Sequence, residues 1–264
     1  MTHPRPVGRE TPTFDLRSRH VASGNTVRRM LHGDVANKAL TRRYHIRYLD
    51  GVTGECKSLV HVAPAVPVFE NTCAAIARGT LLATPNGYVA IEDLEPGMLL
   101  QTADNGPQPV QWIGSITLVP HLPRHGRTIC SLLRILAEGF GLGRPAPDLL
   151  LAPGARLLHR SFEGEGEVLS PAEHYCDGES VIRVMPQAPI TVYHLAFRSH
   201  QIILANGLEI ESMLPERDVE TVLNAGFLAA FRGLFPNLKG LDAFGEAARP
   251  RISLGEGHEL FQPA

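Results

Sequence analysis

AIARGTLLATPNGYVAIEDLEPGMLL, running from Ala75 to Leu100, is the stretch on which the fold of this 264-residue chain turns. Apolar runs alternate with turn signals: Leu81 to Ala83, then Pro85-Asn86-Gly87, then Tyr88 to Ile91. Two short strands joined by a hairpin turn follow from that pattern. Glu92-Asp93 and Glu95-Pro96-Gly97 interrupt it before Met98-Leu99-Leu100 resumes. A β-rich unit punctuated by Pro and Gly is therefore expected.

Upstream, Tyr44 to Leu49 alternates, Asp50 to Glu55 turns, and Cys56 to Val62 alternates again, which predicts a second hairpin. Pro64 and Pro67 mark a connector into the central block. Downstream, several short strands fit Val110 to Leu133, interrupted by Pro120 and Pro123. Leu149 to Leu151 and Leu157-Leu158 flank the turn Ala152-Pro153-Gly154-Ala155, and an acidic, Gly-rich loop follows at Glu163 to Glu167. Val181 to Met185 and Ile190 to Phe197 again have strand character.

Beyond Pro215 the period changes. Val219, Val222, Leu223, Phe227, Phe231, Leu234 and Phe235 recur at three and four residues. Acids lie at Glu216, Asp218 and Glu220, and Pro236 is a stop, so an amphipathic helix is predicted, with one or two helices in all after the β unit.

Composition narrows the function classes. Hydrophobic residues make up 44% and charged residues 20%, enough to bury a sizeable core. The formal net charge is −2 and the basic residues are scattered, which gives no surface for tracking nucleic acid. No apolar run approaches a bilayer span and Met1 to Pro12 contains no apolar signal core, so cytoplasmic residence is the default, with export by another signal left open. Cys56, Cys73, Cys130 and Cys176 are too widely spaced for a metal knuckle or a disulfide framework. His121 and His125 have helical metal-ligand spacing, but Pro123 between them argues for a loop. Gly139 to Gly143 reads GFGLG, which lacks the spacing and the lysine of a phosphate loop and predicts a flexible turn.

Arg78-Gly79-Thr80, Thr84 to Gly87, the acidic pair before Leu94, Pro96-Gly97 and Gln108 to Gly114 together resemble the opening of a Hint domain in its bacterial form. That is the self-processing fold of hedgehog autoprocessing domains and inteins. Val192 to Leu195, His200 and Asn206 to Ser212 resemble its closing strands. The resemblance implies a mainly β, horseshoe-shaped set of bent antiparallel strands over 71–214. Residues 1–42 are then a partly ordered arm, 43–70 a β-hairpin and connector, and 215–264 a helical tail.

The same resemblance assigns positions to the chemistry. A Hint nucleophile, cysteine or serine, attacks the carbonyl of the residue before it, and a histidine protonates the departing nitrogen. Counting back from Gly79, the nucleophile position is Ala75. The turn that usually carries the histidine reads Ala152 to Arg156, so the histidine position is Ala155. His194 stands where inteins often carry aspartate, and His200 keeps a later family histidine. Glu211-Ser212 replaces the His-Asn pair needed for splicing.

Cys73 is the candidate substitute nucleophile, placed by parity on the same strand face as Ala75 but about 6 to 7 Å away. Covalent catalysis tolerates displacements nearer 1 Å. His159 could reach back as an acid only out of an apparent strand. As metal ligands His194 and His200 lack third and fourth partners, so no metal or cofactor is expected. The expectation is a Hint-like fold without the acyl shift, a structural or binding module with an unidentified protein partner. The alternative is self-cleavage through Cys73, and an unrelated hydrolase finds no supporting motif.

Overall fold

A computed structural model describes residues 40–120, 131–160 and 166–252. Within them the chain forms two antiparallel sheets and a few short helices. Most of the N-terminal arm, His121, His125, Cys130, much of the acidic loop and the last part of the tail lie outside the described residues.

The first sheet has the order β13-β9-β10-β3-β14-β8-β1-β2. Its strands are β1 (Thr41–Leu49), β2 (Cys56–Pro64), β3 (Ile76–Ala77), β8 (Trp112–Leu118), β9 (Leu132–Ile135), β10 (Leu149–Leu151), β13 (Val181–Val184) and β14 (Ile190–Ala196). The upstream hairpin forms as its alternation predicts, Thr41 facing Pro64 and Leu49 facing Cys56. It is also tied to the body, because β1 pairs with β8 from His45–Ser115 to Tyr48–Trp112.

The second sheet runs β12-β11-β16-β15-β4-β5. It comprises β4 (Leu81–Thr84), β5 (Gly87–Ala90), β11 (Arg156–Arg160), β12 (Glu167–Pro171), β15 (Ile202–Ala205) and β16 (Leu208–Glu211), with β6 (Leu99–Thr102) joined to β15 and to β7 (Gly106–Pro109). The hairpin expected at Pro85 to Gly87 is β4–β5, with Thr84 opposite Gly87. At the β15–β16 turn Asn206 and Gly207 both have positive φ (47° and 85°), the conformation a two-residue hairpin prefers. Asn206 Oδ1 accepts from Leu81 N at 2.8 Å and its Nδ2 donates to Asp148 O at 3.0 Å. That turn thus stitches the closing strands to the opening ones.

Burial along β8 and β14 explains the layering. Trp112, Ile116 and Val192 face one side, and Ile113, Tyr193 and Leu195 the other, so the first sheet is covered on both faces. One core lies between the sheets and includes Ile76, Leu82, Leu133, Leu157, Ile203 and Ile210. The other lies under the helices, where Phe69 meets Phe231 edge-on at 5.5 Å and Trp112 stacks near Phe235 at 5.0 Å.

Two local expectations are corrected. The apolar run read as continuous from Val219 to Phe235 is broken into two helices, α2 (Val219–Val222) and α3 (Ala225–Arg232), within the one or two expected after the β unit. Leu223 is extended, and Asn224 restarts the helix by accepting from Phe227 N at 3.0 Å. The stretch read as connector and strand contains a helix, α1 (Pro67–Cys73), for which Pro67 is a favourable first residue. Cys73 ends that helix and does not share a strand with Ala75. Among the described residues no helix is long and apolar enough to cross a membrane.

Candidate functional site

Ala75 sits immediately before β3, held on both sides by neighbouring backbone. Its N–H donates to Tyr193 O at 2.9 Å and its carbonyl accepts from Ala152 N at 2.8 Å. The second bond brings the 152–155 turn against residue 75. Ala155 N donates to Ala152 O, and Ala155 O accepts from Ala172 N at 2.8 Å. Ala74, Ala75, Ala152 and Ala155 are all at most 2% exposed. The 74–75 junction is consequently a dry, methyl-lined seam between β10, β3 and β14.

His194, one strand over on β14, is buried. Its Nδ1 lies 3.2 Å from Asn71 O, a carbonyl in the last turn of α1. No following helical amide serves that oxygen, because Ala75 N is committed to Tyr193, so the imidazole caps the helix end. A carbonyl only accepts, which assigns the proton to Nδ1. Burial pushes the imidazole pKa down to about 4 against the opposing charge of Glu211, so the ring is neutral at neutral pH.

His194 lines a cavity of about 190 Å³ with Asn71, Gly154, Arg156, Glu211 and Arg251. Glu211 is the charged centre of that wall and is only 4% exposed. Arg251 Nε lies 2.6 Å from its Oε1, and Arg156 Nη1 lies 3.5 Å from its Oε2. His200 Nε2 is 3.2 Å from Oε1 without the alignment of a hydrogen bond, while its Nδ1 accepts from Ala248 N at 2.8 Å. Burial raises the carboxyl pKa, but His200, Arg251 and Arg156 outweigh it and hold the group below the ordinary carboxylate value. Glu211 is therefore ionised, and its charge is balanced locally.

Cys73 is elsewhere. It packs in the helix-side core, whereas Ala75 belongs to the core between the sheets. A Cβ on Gly114 would lie 2.7 Å from Cys73 Sγ and 2.1 Å from the Trp112 ring, which fixes how tightly the thiol is enclosed. Burial drives its pKa far above the ordinary thiol value. His159 lies on β11, its ring centroid 6.2 Å from that of Tyr175, with burial lowering its pKa.

Among the described residues no group of three or more His, Cys, Asp or Glu side chains could hold a metal ion. Sequence reasoning singled out Ala75, Ala155, His194 and His200 but missed Glu211, Arg156 and Arg251 as a linked set. The acid that ends β16 was a local signal, since a buried charge demands a partner, but nothing local names which residues supply it.

The family model described as Hint domain matches residues 74–217, more than half of the chain. The chain belongs to the Hint family. Its matched region begins at Ala74 and takes in both sheets apart from the upstream hairpin. Among solved structures, this Hint chain is similar to the bacterial intein-like domain from Clostridium thermocellum, determined in solution. That likeness has 14% identity and a TM-score of 0.37, over 53% of this chain and 98% of that one. No curated protein matches the chain.

Proposed function

We propose that this Hint domain keeps the family frame without the acyl-shift chemistry and acts as a structural or binding module. The observation that carries the reading is the 74–75 junction. The side chains at the nucleophile and histidine positions are methyl groups, and a methyl offers neither a lone pair for attack nor a proton for the leaving nitrogen.

The segment before the junction supports the same reading. Self-processing separates what lies upstream from the Hint domain, yet here β1 pairs with β8 and Tyr44, Ile46, Phe69 and Cys73 share a core with Trp112 and Phe231. Arg42 Nε also reaches the fully buried Glu70 at 2.7 Å, tying β1 to α1. A cut at 74–75 would sever the chain without freeing the upstream piece.

Self-cleavage through Cys73 is the competing reading. It needs a thiolate near a reacting carbonyl, and the enclosure and raised pKa of Cys73 oppose both. Intact mass of the full-length chain, incubated with and without hydroxylamine or dithiothreitol beside a Cys73→Ala variant, tests the proposal. One unchanged mass in every sample is expected. Fragments that break before Cys73 and vanish in the variant would overturn it.

A further inference from the structure

The two sheets do not overlap along their whole length. Where the second sheet ends, no described residue covers the face of the first that carries Ser115, Thr117 and Thr191. There a groove of about 610 Å³ opens over β14, β8, β1 and β2. Down its middle runs β1, whose buried Tyr44 and Ile46 turn Arg43, His45 and Arg47 to the other side. His45 and Arg47 line the groove, and Arg43 continues the row. Alternate strand residues place these side chains about 6.8 Å apart.

The charges of this row differ from most arginines of the surface; among the described residues Arg198, Arg217 and Lys239 also make no ion pair, but they lie outside the groove. Arg42, Arg134, Arg144, Arg160 and Arg249 are each paired with a carboxylate of the chain. Among the described residues Arg43 and Arg47 are in no ion pair. The one carboxylate lining the groove, Glu92, is held at its end by Arg78 at 3.1 Å and by Gly79 N at 2.8 Å. On β8 Ser115 lies opposite His45, and on β2 Ser58 lies opposite Arg47 while the exposed Val60 and Val62 stand opposite His45 and Arg43.

We propose that this groove is a docking site for an extended acidic peptide segment of a partner protein, with carboxylates at alternate positions over Arg43, His45 and Arg47. A strand laid along β1 presents same-side residues at the same interval as the row beneath it, so acids at the outer positions meet the two arginines in register and the middle one meets the His45 ring. The serines and threonines beside the row offer hydrogen bonds to the peptide backbone between those contacts. The inference adds a surface and a partner chemistry to the module reading. It stands or falls separately from the intact-mass result, because it uses no group at residue 75 or 155.

The test is fluorescence anisotropy of a labelled Glu-Thr-Glu-Thr-Glu peptide, with the Gln-Thr-Gln-Thr-Gln peptide as control, added to the full chain. Binding of the acidic peptide alone, weakening as salt rises, is expected. The double variant Arg43→Thr, Arg47→Thr should bind about tenfold more weakly. Arg198→Thr, which removes one exposed charge outside the groove, should bind as the unaltered chain does. Thermal melts identify any variant that has lost its fold, and single Arg43→Thr and Arg47→Thr variants then take its place. Absence of acidic-peptide binding, equal binding of the Gln peptide, or equal losses at Arg198 would each overturn the proposal.

Discussion

Two neighbouring places in this molecule treat chemistry in opposite ways. At residues 75 and 155 the chain presents methyl groups in a seam closed by backbone hydrogen bonds. One residue further, Arg156 reaches a buried carboxylate that also holds Arg251 and faces His200. Methyls cost nothing to bury, whereas an ionised carboxylate must be matched charge for charge. A seam of methyls therefore packs with no polar group to satisfy, while the cluster at Glu211 cannot lose a member quietly. Arg251 also donates to Leu214 O at 2.8 Å, so the cluster fastens the tail to the closing strands.

The largest effect is expected on the charged side. Glu211→Ala should destabilise the fold by about 3 to 5 kcal/mol, because two arginines lose a buried counter-charge. Urea unfolding measures it, and a loss below about 1 kcal/mol would break the contrast between the two places.

Acid should act on the same side next. The folded chain resists protonating His194, whose pKa falls from 6.5 to about 4 through burial, so the unfolded chain takes that proton first. This contribution is complete above pH 6.5 and is lost as pH falls toward 4, amounting to about 3 kcal/mol. Glu211, also depressed, adds a loss that begins near the ordinary carboxylate value. Unfolding curves between pH 7 and 4 should follow this slope, and His194→Gln should flatten its upper part. NMR titration should find the His194 ring neutral at pH 5.5.

Gly114→Ala probes the apolar packing beside the seam. The added methyl meets Trp112 and Cys73, so a loss of about 1 to 3 kcal/mol is expected, read as a lower melting temperature. The last effect is read in chemistry rather than in stability, and comes from placing a thiol and an imidazole at the two alanines. Ala75→Cys with Ala155→His should yield hydroxylamine-sensitive cleavage at the 74–75 bond, detected by mass. Ala75→Cys alone should be about 10²- to 10⁴-fold slower, for want of the acid. Equal rates in the two variants would mean that residue 155 is not placed to donate.

Much of the frame was legible in the sequence. Period-two alternation bounded by Pro, Asn and Gly located the β1–β2 and β4–β5 hairpins, because strand and turn chemistry are local. The contact between Ala75 and the 152–155 turn, 77 or more residues apart in sequence, came only with the fold. Helix α1 was missed because its seven residues are too few for a visible period and Pro67 read as a breaker rather than as a first helical residue. The split at Asn224 was missed because the apolar spacing runs across it, although Asn is itself a helix-starting residue. The role of Glu211 was out of reach, since its partners lie 55 residues upstream at Arg156 and 40 downstream at Arg251.

Native-state hydrogen exchange tests most directly the claim that the chain is one body across the 74–75 junction. Amides of β1 that bond to β8 should exchange only through the same global opening as those of β14. If the β1 amides exchange through a much cheaper local opening while β14 stays protected, the upstream segment is a detachable appendage and the account is contradicted.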